Sequence, residues 1–220
     1  MLHHVVERAR SSAADAVYIA TDDERIRQSC QALGDNVIMT SAAHNSGTDR
    51  IEEVARLLNL GDEDIVVNVQ GDEPMIPPQV INQVASDLAG HPDAQICTLY
   101  EELTDYDEIM NPHNVKVVAN NAGYAMYFSR APIPFPRNDP AQDKPDIKYK
   151  RHIGIYAYRV KVLHDFVNWP QSELETIEQL EQLRAMANGI RIHIQKACAE
   201  IPAGVDTPED LEKVRRLMNA

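Results

Sequence analysis

Short runs rich in valine and isoleucine alternate with amphipathic helical segments through the first hundred residues of the chain. The predicted strands are 16–20, 36–39, 64–69 and 95–100, and the predicted helices are 2–13, 22–33, 47–58 and 77–88. Alternation at this spacing is typical of βαβ units, whose strands form a parallel sheet with helices on both faces. The pattern therefore predicts an α/β fold with a mostly parallel sheet.

The second half of the chain departs from this alternation. Residues 115–118 and 124–128 flank the sequence Asn-Asn-Ala-Gly, which predicts a β-hairpin. A proline-rich loop follows over 131–149 and is a candidate flap or interface segment. The remaining predicted elements are a strand at 151–158, one continuous helix at 173–187, a strand at 190–195 and a helix at 207–218.

Charge and composition exclude several classes of protein. The formal net charge of −13 argues against a nucleic-acid scaffold, which would display a basic stripe. No apolar run approaches the roughly 18 residues of a membrane span, and the N-terminus does not resemble a secretory signal. Cys30, Cys97 and Cys198 are odd in number and widely spaced, so we expect reduced cysteines and a cytoplasmic protein.

Asp72 is the first candidate metal ligand. It lies in the sequence Asn-Val-Gln-Gly-Asp-Glu-Pro, directly after a predicted buried strand, where open α/β sheets bind their ligands. Gly71 permits a tight turn, and Asp72 offers the hard oxygen donors that Mg²⁺ prefers. The alternative interpretation is a turn that only ends the strand.

Asp206 is the second candidate, just before the helix start Thr-Pro-Glu-Asp. That start needs a cap, a proline and acidic residues, but it does not need Asp206. Magnesium usually takes one or two protein carboxylates and leaves its other positions to water and phosphate. Asp206 therefore either completes a site with Asp72 or belongs to an ordinary helix start.

Seven motifs occur in an order that resembles one enzyme family. They are Ala-Thr-Asp-Asp at 20–23, His-Asn-Ser-Gly-Thr-Asp-Arg at 44–50, Val-Asn-Val-Gln-Gly-Asp-Glu-Pro at 67–74, Tyr-Phe-Ser-Arg-Ala-Pro-Ile-Pro at 127–134, Arg-His-Ile-Gly-Ile-Tyr-Ala-Tyr-Arg at 151–159, Leu-Glu-Gln-Leu-Arg at 180–184 and Gly-Val-Asp-Thr-Pro-Glu-Asp at 204–210. Together they resemble the 3-deoxy-manno-octulosonate (Kdo) cytidylyltransferases, the CMP-Kdo synthetases of lipopolysaccharide biosynthesis. The resemblance extends over the whole chain.

This resemblance implies a fold and an organisation. The fold would be Rossmann-like, of the nucleotide-diphospho-sugar transferase type, with an inserted hairpin that serves sugar binding and dimerisation. A single domain, 1–220, would comprise a nucleotide-binding part at 1–100, a hairpin, loop and sugar or dimer part at 101–165, and closing helices with the metal aspartate at 166–220. The family begins with a strand and a phosphate-binding loop, Pro-Ala-Arg-x-x-Ser-x-Arg-Leu-Pro-Gly-Lys, and we expect that segment to be missing here.

The resemblance also implies substrates and site residues. The enzyme would join CMP from CTP to Kdo and release pyrophosphate, as a cytoplasmic homodimer that binds neither nucleic acid nor membrane. Asp72 and Asp206 would bind the catalytic Mg²⁺. The nucleotide side would comprise Ala20, Thr21, Asp22, Ser46, Gly47, Arg50 and Gln70, and the sugar side would comprise Gln70, Arg137, His152, Gly154, Tyr156, Glu181 and Gln182.

The residue chemistry fits a sugar acid, which needs a cation for its carboxylate and polar groups for its hydroxyls. The expected cations are Arg130, Arg137, Arg151 and His152, although His152 is also compatible with a hydrogen-bonded structural role. Glu175 and Glu178 are expected on a solvated helix face. Two alternative functions stay open: a cytidylyltransferase for another acidic keto-sugar, and a truncated, inactive homologue that acts as a dimeric binding protein.

Overall fold

A computed structural model describes residues 1–44, 46–137, 147–202, 204–205 and 207–218. The helices are α1 (Leu2–Arg10), α2 (Glu24–Gln31), α3 (Gly47–Leu57), α4 (Pro78–Gly90), α5 (Tyr106–Met110), α6 (Val160–Phe166), α7 (Glu173–Glu178), α8 (Gln182–Ala187) and α9 (Pro208–Met218). The strands are β1 (Ile19–Thr21), β2 (Val37–Met39), β3 (Ile65–Asn68), β4 (Ile96–Leu103), β5 (Lys116–Ala119), β6 (Ala125–Ser129), β7 (Tyr149–Arg159) and β8 (Ile192–Lys196). Within these ranges, no helix combines the length and the apolar character that crossing a membrane requires.

The strands form a small sheet and a large one. β1 and β2 pair in parallel, and the larger sheet has the order β6-β5-β7-β4-β8, with β3 also paired to β7. β4 and β8 are parallel, whereas β7 is antiparallel to β3, β4 and β5. The expected α/β fold with helices flanking a sheet is confirmed. Among the described strand pairs the sheet is mixed rather than mostly parallel, because β7 inserts between β3 and β4 in the opposite direction.

The core lies on both faces of the larger sheet. Along β4, Ile96 packs into one apolar cluster, and its neighbours Cys97 and Leu99 pack into another on the opposite face. Successive side chains of a strand point to opposite faces, so a strand segment covered on both sides is largely apolar at successive positions. The first cluster includes side chains of α6 and α8, and the second includes the apolar side of α4.

A bulge interrupts the pairing of β4 with β7. Thr98 is opposite Tyr156 and the next β4 residue, Leu99, is opposite Ile153, so β7 carries two additional residues at this point. The Thr98 hydroxyl oxygen lies 2.7 Å from the Ile155 carbonyl oxygen and 3.0 Å from that of Ile153. Bulges redirect side chains and free backbone groups from the ladder. The bulge therefore places free β7 backbone beside the residues that follow β3.

A cleft of about 1380 Å³ runs between the small sheet and the larger one. Residues of β1 and β3 line it, together with apolar side chains of α1, α3 and α4. Among the described residues, β1 pairs only with β2, and β3 pairs only with β7. We call this space the intersheet cleft; both strands present an edge toward it.

The hairpin is confirmed, with β5 and β6 antiparallel and Gly123 at a φ of +82° in the turn. The single helix expected at 173–187 is wrong, because the chain breaks into α7 and α8 at Gln179, which adopts a left-handed conformation with φ +53°. Arg130 donates to the carbonyl oxygens of Glu178, at 2.7 Å, and Gln179, at 3.3 Å. A cation from the loop after β6 therefore satisfies carbonyls at the helix end.

The expectation that Glu175 and Glu178 lie on a solvated face is also wrong. Glu175 is 5% exposed and forms a bidentate ion pair with Arg184 of α8. The Glu178 carboxylate accepts hydrogen bonds from the Ser129 hydroxyl at 2.6 Å and from the Arg130 backbone N–H at 2.9 Å. Both glutamates thus join α7 to neighbouring segments, and the helical periodicity of the sequence does not reveal these contacts.

Candidate active site

One end of the intersheet cleft gathers residues from both predicted halves of the site. This end follows the carboxyl ends of β1 and β3, where α/β folds bind their ligands. The predicted site residues that line it are Ala20, Thr21, Gly47, Arg50, Gln70, Asp72, Gly154, Tyr156 and Glu181. The fold therefore brings together segments that are up to 161 positions apart in the sequence.

The nucleotide side is formed by the end of β1 and the first turn of α3. Ser46 caps α3, and its side chain accepts a hydrogen bond from the backbone N–H of Asp49 at 3.2 Å. Arg50, one turn further, lies 3.2 Å from the Asp22 carboxylate and also contacts the Thr40 hydroxyl. The arginine is thereby held at the cleft, and the helix N-terminus adds a partial positive charge.

Asp72 carries a carboxylate suited to a hard cation. Its Oδ1 atom is buried and has no hydrogen-bond partner among the described residues. The backbone N–H of Val205 donates to the Asp72 carbonyl oxygen at 2.8 Å, and a Cβ added at Gly204 would lie 3.6 Å from the Asp72 carboxyl carbon. The segment before α9 thus packs directly against Asp72. Asp206, the second expected ligand, lies outside the described residues.

A buried carboxylate oxygen without a hydrogen-bond partner destabilises the folded state unless a ligand or ion binds to it. Asp72 therefore fits a magnesium site on its own geometry. Glu73, which the sequence reasoning did not single out, adds a second acid here, and burial together with the Asp72 charge raises the pKa of Glu73 to about 7. Its position next to Asp72 in the sequence was the signal that could have identified it.

The sugar side is built on the β7 bulge. The Gln70 amide donates to the Gly154 carbonyl oxygen at 3.2 Å, and a side chain at position 154 would approach the Gln70 amide nitrogen to 3.0 Å. Glycine therefore permits the close approach of the β3 loop to β7. Gln70 was expected to serve both substrates, and it lies where the two sides of the cleft meet.

His152 lies in an aromatic environment. Its Nε2 atom is 3.0 Å from the Thr98 hydroxyl, and its ring centroid is 5.0 Å from that of Phe128 and 5.2 Å from that of Tyr156. Burial, with a smaller effect of the nearby Arg151 charge, lowers the pKa of His152 to about 3. The expectation that His152 supplies a cation is therefore wrong at neutral pH, although the ring remains available for hydrogen bonding.

The expected arginines differ in their availability. Arg130 donates to backbone carbonyls, and Arg151 forms an ion pair with Glu101, so both already have partners. Arg137 is exposed at the end of the described range 46–137 and has no ion pair with another described residue. No hydrogen bond or ion pair joins Arg137 to the other predicted sugar-site residues that the structure describes.

Glu181, the N-cap residue of α8, and Gln182, its first residue, line a small cavity of about 50 Å³ with Thr48 and Tyr156. The Thr48 hydroxyl donates to Glu181 Oε2 at 2.8 Å. The other carboxylate oxygen, Oε1, is buried and has no hydrogen-bond partner among the described residues. Thr48 is a contact that the sequence reasoning missed.

Comparisons with known proteins agree with this geometry. The pattern of the family described as "Cytidylyltransferase" matches residues 1–192. A 3-deoxy-manno-octulosonate cytidylyltransferase of Cellvibrio japonicus is 56% identical over 225 aligned residues, which cover 99% of this chain and 88% of the relative. The protein of the same name from Alcanivorax borkumensis is 54% identical, over 98% of this chain and 86% of the relative.

Solved structures give the same result. A CMP:2-keto-3-deoxy-manno-octonic acid synthetase complexed with CTP superimposes with a TM-score of 0.90 at 43% identity, covering 99% of this chain and 87% of that one. A 4-diphosphocytidyl-2C-methyl-D-erythritol synthase, at 13% identity and a TM-score of 0.61, covers 99% of this chain and 89% of its own and shares the fold. The chain belongs to the cytidylyltransferases, as an enzyme of the 3-deoxy-manno-octulosonate cytidylyltransferase family.

Proposed function

We propose that this protein transfers CMP from CTP to 3-deoxy-D-manno-octulosonate and releases pyrophosphate, as a step of lipopolysaccharide biosynthesis. The observation that carries the proposal is the Asp72 carboxylate oxygen, which has no hydrogen-bond partner among the described residues and lies at the end of a cleft with a nucleotide side and a sugar side. The family relationship supports the choice of substrates.

In this reaction, the anomeric hydroxyl of the sugar acid attacks the α-phosphorus of CTP, and the bond to pyrophosphate breaks. Phosphoryl and nucleotidyl transfers depend mainly on positioning and on neutralising charge. Arg50 would contribute positive charge on the nucleotide side, and backbone groups of Ala20 and Thr21 would contact the cytosine. Asp22, Ser46 and Gly47 would complete this side by holding Arg50 and the first turn of α3.

Asp72 and Asp206 would hold Mg²⁺. When bound, the ion would neutralise phosphate charge and increase the acidity of the attacking hydroxyl. The chain itself supports this arrangement through the hydrogen bond from Val205 to the Asp72 carbonyl, which keeps the segment beside position 206 against Asp72.

On the sugar side, Gln70, Gly154 and Tyr156 would border the attacking end of the sugar, and Glu181 and Gln182 would receive its hydroxyls. His152 would act as a neutral hydrogen-bonding group, because burial lowers its pKa to about 3. Arg137 would supply the cation for the sugar carboxylate, since Arg130 and Arg151 already have partners.

We further propose a homodimer in the cytoplasm. Exposed apolar side chains on β6, the following loop and α7 support an interface between two copies: Met126, Phe135, Leu174 and Ile177. Side chains of this kind are enriched at subunit interfaces. The three cysteines are free, which suits a reducing compartment.

The decisive experiment measures pyrophosphate release from CTP with Mg²⁺ and a panel of sugar acids that includes Kdo and a sialic acid. We expect release to require both CTP and Kdo. Turnover with another acidic keto-sugar, but not with Kdo, would overturn the sugar assignment. Absence of turnover together with absence of CTP binding by calorimetry would contradict the enzymatic proposal and favour a binding protein.

A further inference from the structure

Thr48 connects the two sides of the cleft. It is 3% exposed and lies in the first turn of α3, between Gly47 and Arg50 of the nucleotide side. Its hydroxyl donates to Glu181 Oε2 at 2.8 Å, across 133 positions of sequence, at the start of α8. One small side chain thus joins α3 to Glu181, the N-cap residue of α8.

This contact determines which oxygen of Glu181 is free. Oε2 is occupied by Thr48, whereas Oε1 is buried without a hydrogen-bond partner among the described residues. The cavity of about 50 Å³ beside them is lined by Thr48, Tyr156, Glu181 and Gln182, among others. A buried carboxylate oxygen is costly when unsatisfied, so a hydroxyl donor that reaches it gains a strong, charge-assisted hydrogen bond.

We propose that Thr48 is a positioning residue, which fixes the Glu181 carboxylate so that Oε1 accepts a hydrogen bond from a substrate hydroxyl. The inference rests on the proposed function, because it takes the sugar acid as the ligand of Glu181. Thr48 acts through Glu181 and touches no reacting atom. Removal of the Thr48 hydroxyl leaves the Glu181 carboxylate free to rotate. Binding of the sugar must then also order the Glu181 side chain, which weakens the affinity for the sugar.

A purely structural role for Thr48 has a different signature. If the hydrogen bond served only to join α3 to α8, its loss would lower stability and disturb both substrates alike, because α3 also carries Arg50. A positioning role affects the sugar acid selectively. Thr48→Val retains the shape of the side chain and removes the hydroxyl, and Thr48→Ser retains the hydroxyl and removes the methyl group.

The test measures initial rates of pyrophosphate release with CTP and Kdo varied separately. We expect Thr48→Val to raise KM for Kdo about tenfold, in line with the loss of one charge-assisted hydrogen bond, and to leave KM for CTP within twofold. Thr48→Ser should restore KM for Kdo to near the wild-type value. Thr48→Val combined with Glu181→Gln should be no worse than Glu181→Gln alone, because the two changes act on one interaction.

The outcomes separate this inference from the proposed function. Wild-type protein that neither turns over CTP with Kdo nor binds Kdo in calorimetry overturns the proposed function, and Thr48 then has no sugar to position. Active wild-type protein with an unchanged KM for Kdo in Thr48→Val overturns only the inference. Equal rises in both KM values, or failure of Thr48→Ser to rescue, overturn it as well. Thermal melting of each variant establishes whether the fold is retained.

Discussion

At the scale of single residues, the buried Asp72 oxygen that lacks a hydrogen-bond partner among the described residues yields the first prediction. Asp72→Asn preserves the volume of the side chain but removes the charge that a cation requires. We expect the turnover number to fall about 100-fold or more, since a group that stabilises transferring charge is lost. The melting temperature should change little, because the Asp72 backbone still accepts the hydrogen bond from Val205.

The matched control is Asp62→Asn, which removes a carboxylate from the exposed loop before β3. Its turnover should equal that of the wild type. Near-normal turnover in Asp72→Asn, measured over a titration of Mg²⁺, would exclude Asp72 as a metal ligand.

His152 makes a second prediction, for the dependence of stability on pH. Its pKa is lowered from 6.5 to about 3, so the unfolded chain binds the proton more tightly between these values. Stability therefore falls as the pH drops below 6.5. Glu73 has the opposite sign, because its pKa is raised from 4.5 to about 7 and the folded state gains stability as the pH drops through that range.

A variant separates the two contributions. Between pH 7.5 and pH 5, we expect the free energy of unfolding of the wild type to fall by on the order of 1–2 kcal/mol more than that of His152→Gln, as measured by urea denaturation. His113→Gln changes an exposed histidine and should follow the wild type. Parallel pH profiles for wild type and His152→Gln would show that burial of His152 does not govern acid stability.

At this scale, sequence motifs predict the positions of several candidate site residues but not their hydrogen-bond partners or protonation states. Asp72 and Gln70 could be predicted because strand ends and short motifs mark them. Thr48 and the neutral state of His152 could not, because they depend on partners distant in sequence, namely Glu181 and the aromatic rings of Phe128 and Tyr156. Burial and partners arise only when the strands assemble.

At the scale of elements, the ion pair between α7 and α8 supports a third prediction. Glu175 and Arg184 are both buried and share two hydrogen bonds. Removing one partner of a buried pair leaves an uncompensated charge. We expect Glu175→Gln to lower the free energy of unfolding by about 3 kcal/mol, measured by urea denaturation at pH 7.

Glu173→Gln is the control, since Glu173 is exposed in the same turn of α7. It should change stability by less than about 0.5 kcal/mol. Equal effects of the two substitutions would mean that the pair contributes nothing beyond the loss of a surface charge.

Local sequence signals predicted elements where the interactions are local. The hairpin of β5 and β6 follows from its turn residues, and α3 follows from its cap, Ser46. The break between α7 and α8 was not predictable in this way, because Arg130 from another segment satisfies the carbonyls at the end of α7. The mixed pairing of β7 was likewise hidden, since periodicity does not report strand direction.

At the scale of the whole molecule, the exposed apolar side chains on β6 and α7 yield a fourth prediction. Ile177 is 70% exposed and Met126 is 63% exposed. If two copies associate through this surface, Ile177→Asp places a charge in a desolvated interface and should shift dimers to monomers in sedimentation velocity at micromolar concentration.

Leu33→Asp provides the control, because Leu33 is 53% exposed at the end of α2, on the small-sheet side of the molecule. It should leave the sedimentation profile unchanged. A monomeric wild type, or a dimer insensitive to Ile177→Asp, would contradict the proposed interface.

The intersheet cleft has a further consequence for how the molecule opens. β1 and β2 share no hydrogen-bonded ladder with the larger sheet among the described residues, so their unfolding need not disrupt β4 or β7. Segments with few shared contacts open as separate cooperative units, and hydrogen exchange reports their individual free energies. Amides of β1 should therefore exchange earlier than those of β4. Because Ala20 and Thr21 border the nucleotide side, a nucleotide bound there would slow exchange in β1 more than in the larger sheet, so binding would stabilise this small sheet locally.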